Sequence, residues 1–314
     1  MTSNHHTIPS AHRLVTPTPR SAAIALALTA GLLASACSDS PTAAIVGELA
    51  SGAVASRTVH AAGNTFAVEV RGNGEATLLI HGGGEDAAML APLADQLATS
   101  GRRVITYDRR GTGESGRADW PGGGAAQHAD DAAALLAALD VDDAHVIGFS
   151  SGGVIALDLA VRHPDVVAGA VVWEAPAIGV IPGGEQLNAE IMGPIDAHLA
   201  AHPGDFVGAQ ALLLSAILGF PVTVDDPLFA ATRANAKPMI RDEPGITLRP
   251  FTADELTGAS VTLAVGTAPN EVVAAATGAL ATMVGSAPVV VDTADHEAYL
   301  NDPVGFATVL ADVA

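Results

Sequence analysis

Residues 144–154 read Ala144-His-Val-Ile-Gly-Phe-Ser-Ser-Gly-Gly-Val154, and the next nine continue as Ile-Ala-Leu-Asp-Leu-Ala-Val-Arg-His163. A short apolar run, 145–149, ends in small residues at 150–153. Residues 154–163 have helical spacing, with good helix formers at Ala156, Leu157, Leu159 and Ala160. The pattern is strand, tight turn, helix, and the turn spells Gly148-Phe-Ser-Ser-Gly152, a G-x-S-x-G. A serine at the apex of a sharp turn needs small neighbours, and the helix behind it aims its free N–H groups at the same spot. That arrangement presents a nucleophile beside an oxyanion donor. An ordinary Gly/Ser turn carries the same letters, so the rest of the chain has to decide.

The chain has 314 residues, 49% of them hydrophobic, enough for one large α/β domain or for one domain with an insertion. Acidic residues number 34 against 14 basic ones, for a net charge of -20. No basic patch or Arg/Lys-rich helix is present, which argues against a nucleic-acid partner. The spread acidity reads as a solvated surface.

Cys37 is the single cysteine. Arg13 and Arg20 precede a run of small and apolar residues over 21–34, closed by Ser35-Ala36-Cys37. A charged start, an apolar middle and a small-residue end form a signal peptide, expected over 1–36. The run is shorter than the roughly 20 apolar residues of a membrane-spanning helix. Leu33-Ala-Ser-Ala-Cys37 also resembles the lipobox of bacterial lipoproteins, with alanine where leucine is usual three before the cysteine. Export with a lipid on Cys37, and so membrane attachment, is the expectation; ordinary cleavage after Ala36 is the alternative. Residues 37–56, small, polar and Pro-containing, read as a tether.

From residue 57 the elements alternate. Strands are expected at 57–61, 65–70, 76–80, 103–107, 145–149, 166–173, 260–265 and 287–291. Helices are expected at 87–100, 127–139, 154–163, 271–284 and from 303. Such alternation predicts an α/β fold, with a mostly parallel central sheet covered by helices on both faces. Between 176 and 250 the pattern changes to helical segments at 185–201, 205–218 and 226–236. This stretch reads as a helical cap inserted between the two parts of the core, 57–175 and 251–314.

Four segments in this order resemble the α/β-hydrolase superfamily, over residue 57 to the end. They are His81-Gly-Gly-Gly84 after a strand, Tyr107-Asp-Arg-Arg-Gly-Thr-Gly-Glu-Ser115, the elbow at Ser150, and Asp295-His-Glu-Ala-Tyr299 after the last strand. The second also contains Gly111-Thr-Gly-Glu-Ser-Gly116, a G-x-G-x-x-G. A dinucleotide site needs a helix to begin there. The chain runs instead into Arg117-Ala-Asp-Trp-Pro121 and three glycines.

The resemblance implies a serine hydrolase that needs no metal or organic cofactor and takes a small-molecule substrate. Ser150 is then the nucleophile and His296 the base, by its place after the last strand. Backbone N–H groups of Ser151 and of Gly82 or Gly83 form the oxyanion hole. His81 is expected to play a structural part. The family's usual acid lies after the strand ending at Val265. There the chain reads Gly266-Thr-Ala-Pro-Asn270, with no acid before Glu271. Glu174 ends the apolar run of an earlier strand, a second place used within the superfamily. A carboxylate there is costly without a partner. Glu174 is therefore preferred to Glu271, Asp292 and Asp295 as the acid. Its competing reading is a loop carboxylate that caps a helix.

Dehalogenases and epoxide hydrolases of the superfamily need an aspartate where Ser150 stands. Cofactor-free haloperoxidases share the Ser–His–acid set. Proline iminopeptidases are similar at 108–115 but carry Trp after the nucleophile and His-Gly-Gly-Pro, against Ser151 and Gly84 here. A non-catalytic binding lipoprotein of the same fold is the alternative from another class.

Overall fold

The computed structural model describes residues 54–313, apart from 227, 228 and 294. Cys37, the expected signal peptide and nearly all of the expected tether lie outside the described residues. Eight strands form one sheet: β1 (Ala55–Ala61), β2 (Asn64–Arg71), β3 (Ala76–Ile80), β4 (Arg103–Tyr107), β5 (Ala144–Phe149), β6 (Val167–Trp173), β7 (Val261–Val265) and β8 (Val289–Val290). Their spatial order is β1-β2-β4-β3-β5-β6-β7-β8. The β1–β2 and β2–β4 pairs are antiparallel, and every other pair is parallel.

The apolar runs of the central strands follow from two covered faces. Successive strand residues point to opposite sides. Leu78, Ile80, Val146 and Val172 enter one buried cluster. Their neighbours Leu79, Ile147, Val171 and Trp173 enter another. Helices α1 (Ala91–Thr99), α2 (Gly124–Ala138) and α3 (Ser151–Arg162) pack against the first half of the sheet. Buried residues of α2 and α3, among them Leu135, Leu136, Ile155 and Leu159, belong to the first cluster, and those of α1, Leu93 and Leu97, to the second.

The insertion holds α4 (Gly184–Ala201), α5 (Phe206–Leu218) and α6 (Ala236–Thr247). They share a small apolar cluster of Ile195, Ala209, Leu213, Met239 and Ile240. Asp205 caps α5 by accepting the Gly208 N–H at 2.9 Å. The chain then returns to the sheet through α7 (Ala253–Leu256), α8 (Glu271–Val284), α9 (Ala298–Asn301) and α10 (Pro303–Val313).

Two expectations are corrected. The described residues of the helix expected at 226–236 form turns and a 3-10 turn at Arg233–Asn235, and the true helix is α6. Pro238 and Pro244 hid it: Pro238 falls in the first turn, where no N–H partner is needed. The last strand, expected over 287–291, pairs only at Val289 and Val290. As an edge strand, with Val290 64% exposed, it has a neighbour on one side only.

Candidate active site

Ser150 joins β5 to α3 with φ +52° and ψ −123°, a conformation costing a non-glycine residue about 1–3 kcal/mol. The surroundings enforce it. The Ser150 N–H donates to the Trp173 carbonyl at 2.9 Å, and the Gly153 N–H donates to the Ser150 carbonyl at 2.8 Å. A Cβ at Gly148 would lie 2.2 Å from the Gly152 carbonyl oxygen, so this turn closes only with glycine. The serine side chain stays half-buried at the end of the strand.

Glu174 follows β6 directly, also at positive φ, +43°, and is 4% exposed. Its Oε2 lies 2.5 Å from His296 Nδ1. Its Oε1 accepts the Gly266 N–H at 2.8 Å. The loop after β7, which carries no acid at its start, thus supplies a donor to the acid of the neighbouring strand. A Cβ at Gly266 would lie 3.0 Å from that same Oε1 and 2.5 Å from the Thr293 carbonyl oxygen. Glu271 is instead in the first turn of α8, exposed, behind the helix cap Asn270, which accepts the Val273 N–H.

His296 is held from its backbone as well, because the Trp173 indole N–H donates to its carbonyl at 2.9 Å. Burial would lower its pKa. The Glu174 hydrogen bond and the charges of Glu297, Glu174 and Glu85 outweigh that and raise it above the ordinary imidazole value. With Nδ1 on Glu174, Nε2 is the nitrogen left for a proton. No hydrogen bond joins it to the Ser150 hydroxyl among the described residues; such contacts are often looser in unliganded sites.

An aromatic cluster registers the three segments. Phe149 precedes Ser150, Trp173 precedes Glu174, and Tyr299 comes three residues after His296. Phe149 and Tyr299 stack at 4.2 Å, and both Trp173, at 4.9 Å, and Tyr299, at 6.2 Å, meet Phe306 edge-on. Such pairs contribute about 0.5–1.5 kcal/mol each beyond their burial. In a chain with 4% aromatic residues they are concentrated under this site.

The loop at 81–84 lies against the elbow: a Cβ at Gly82 would sit 3.3 Å from Ser150 Cβ. His81 is fully buried. Its Nε2 accepts the Arg109 N–H at 3.2 Å, so Nδ1 carries the hydrogen and donates to the Gly82 carbonyl at 2.9 Å. Burial, then the Arg109 charge, holds its pKa well below the ordinary value. A neutral His81 thus braces the loop. The three expected oxyanion donors differ. The Gly82 N–H is taken by Glu85 Oε2 at 2.9 Å, which removes it from the set. The N–H groups of Gly83 and Ser151 have no protein acceptor among the described residues.

Asp108 accepts the Ala87 and Glu114 N–H groups, each at 2.8 Å, and Ser115 donates to the Asp108 carbonyl at 2.6 Å. The 108–115 segment is therefore a self-locked turn beside the site. Arg109 points inward, 1% exposed, and donates to the Gly82 carbonyl at 3.1 Å and to Glu243 Oε1 of α6 at 2.8 Å. His128 of α2 pairs with the adjacent Asp242 at 2.6 Å. Two buried acid–base contacts thus tie the insertion to the core beside Gly83. Among the described residues no cluster of His, Cys, Asp and Glu is arranged to hold a metal ion.

Comparison with known proteins agrees with this architecture. The family model for the alpha/beta hydrolase fold matches residues 76–188. An alpha/beta hydrolase from Sphaerobacter thermophilus DSM 20745 superposes with a TM-score of 0.63 at 26% identity, covering 82% of this chain and 99% of that one. The chain has the α/β-hydrolase fold. Uncharacterized hydrolase YraK of Bacillus subtilis (strain 168) is 40% identical over 134 residues, 42% of this chain and 49% of that protein. RutD of Variovorax paradoxus (strain S110), named for carbamate hydrolysis, is 36% identical over 155 residues, 46% of this chain and 54% of RutD. The chain spans about half the length of these curated relatives.

Four buried polar residues of the site were not singled out from the sequence: Glu85, Arg109, Glu243 and Tyr299. Arg109 and Tyr299 lie within two of the quoted segments and Glu85 directly follows a third, which was the available signal. Glu243 carries none, because its partner is 134 residues away.

Proposed function

We propose that this chain is a serine hydrolase that cleaves a small or medium ester-type substrate through an acyl-enzyme. The observation that carries the reading is the 2.5 Å contact between His296 Nδ1 and Glu174 Oε2, on a sheet whose next strand ends in Ser150. Ser150 Oγ attacks the carbonyl carbon and its proton passes to His296 Nε2. Glu174 orients the imidazole and stabilises its charged form. The N–H groups of Gly83 and Ser151 hold the oxyanion. The tetrahedral intermediate collapses, and His296 returns the proton to the departing alkoxide. Water then adds to the acyl carbon, giving its proton to His296, and the acid leaves as Ser150 regains its hydrogen.

A fluorophosphonate probe should label Ser150 in the wild type and not in Ser150→Ala. A folded wild type that stays unlabelled would favour the non-catalytic binding protein. A chain-length series of p-nitrophenyl esters, with lactones and aminoacyl substrates, maps specificity; the RutD similarity adds carbamates to that panel. Export with lipid attachment at Cys37 is part of the same proposal, supported by the leader composition. Mass spectrometry of the mature N-terminus tests it: an unmodified N-terminus after Ala36 would sink the lipid anchor.

A further inference from the structure

The Glu85 carboxyl has no part in the acyl-transfer steps, yet it is buried at 4% exposure beside them. Its Oε2 accepts the Gly82 N–H at 2.9 Å, and its Oε1 accepts the Tyr299 hydroxyl at 2.5 Å. Gly82 belongs to the loop that carries the free Gly83 N–H. Tyr299 lies in the segment after His296 and stacks on Phe149, the neighbour of Ser150. One carboxyl therefore spans the two segments that must stay in register during acyl transfer. Asn235, from the insertion, donates to the Glu85 carbonyl at 3.0 Å and holds its backbone as well.

We propose that Glu85 is a positioning residue of this site, tying the oxyanion loop through Gly82 to the His296 segment through Tyr299, an inference that rests on the hydrolase reading. The charged and titratable groups facing it are Tyr299, Glu297, Arg109 and His296. Burial, and then the Glu297 charge, push the Glu85 carboxyl up to about 8, against the opposing Tyr299 and Gly82 hydrogen bonds and the Arg109 charge. Near neutral pH Glu85 thus holds a proton. Its O–H then donates to the Tyr299 oxygen, and the tyrosine hydroxyl turns to Glu297, the other carboxyl it faces. Glu297 Oε2 is buried and lacks a protein hydrogen-bond partner, so it is free to accept. Both protonation states keep the tie, but the ionised one sets a negative charge beside the amides meant for an oxyanion.

The test uses the full-length chain, a p-nitrophenyl ester, and the variants Glu85→Gln, Glu85→Ala and Tyr299→Phe, with thermal melts and fluorophosphonate labelling beside the kinetics. Loss of register acts on the transition state, so Glu85→Ala and Tyr299→Phe should lower kcat at least about tenfold with KM within about twofold. Glu85→Gln mimics the neutral acid. It should keep kcat within about threefold near pH 7, and should lack the decline in kcat/KM that the wild type shows as pH rises through about 8. A structural role alone would lower the melting temperature and leave the pH profile unmoved. The inference is overturned if Tyr299→Phe keeps kcat within about twofold and Glu85→Gln keeps the wild-type profile. Those two measurements decide the matter even if Glu85→Ala does not fold. A wild type that fails to label overturns the hydrolase reading and this inference with it, and is told apart by showing no turnover in any variant.

Discussion

Glu174 Oε2 lies 2.5 Å from His296 Nδ1 across 122 residues of chain, while Glu271 sits exposed on the first turn of α8. A carboxylate that fixes the imidazole tautomer is needed at every turnover. Glu174→Gln should reduce kcat by about a hundredfold or more, whereas Glu271→Gln should stay within about twofold. Steady-state ester hydrolysis ranks the two, and the reverse order would move the acid to the later loop.

Ser150 combines the reacting hydroxyl with a strained backbone, φ +52°. Ser150→Ala should abolish turnover and leave the fold intact. Ser150→Gly should be equally inactive yet more stable, by about 1 kcal/mol, because glycine adopts this conformation without strain. Urea unfolding of the two variants gives the difference, and equal stabilities would mean that the elbow stores no strain.

The raised pKa of His296 sets the acid limb of activity. The base must be neutral to take the Ser150 proton, so kcat/KM should rise with pH through a midpoint above the ordinary value of about 6.5. Glu174→Gln removes the hydrogen-bonded carboxylate that raises this pKa and should move the midpoint down. The same shift favours folding at pH below the ordinary imidazole value, and that contribution is lost as pH rises through the folded value. A midpoint in Glu174→Gln equal to or above that of the wild type would contradict the assignment.

Arg109 is buried and its partner Glu243 comes from α6. Glu243→Ala leaves that guanidinium uncompensated and should destabilise the protein by about 3 kcal/mol. Replacing both residues by apolar ones of similar size should cost less than the single change. Chemical denaturation of the three variants measures this; a loss under about 1 kcal/mol for Glu243→Ala would show that Arg109 finds another acceptor.

Local physics was enough for much of the fold. Two-sided burial writes uninterrupted apolar strands such as 76–80 and 144–149, and helix α8 was legible to its boundaries because Asn270 caps it and Gly285 ends it at φ +77°. The elbow was legible because a strained serine needs glycine neighbours within a few residues. The insertion was less so, since prolines interrupt α6 and its buried contacts are long-range.

Residue types and spacing determined that an α/β sheet carries a serine on a tight turn, and the resemblance of four segments to a known family pointed to a histidine after the last strand and an acid at the end of β6. Only the tertiary structure decided which groups meet. Parallel β5, β6 and β7 set Ser150, Glu174 and Gly266 side by side at their strand ends, and the loop without an acid turned out to donate a hydrogen bond to Glu174. The structure also took the Gly82 amide away from the expected oxyanion donors and gave it to Glu85. Hydrogen bonds between segments far apart in the chain leave no periodic trace in sequence, because their geometry exists only once the sheet has brought the strand ends together.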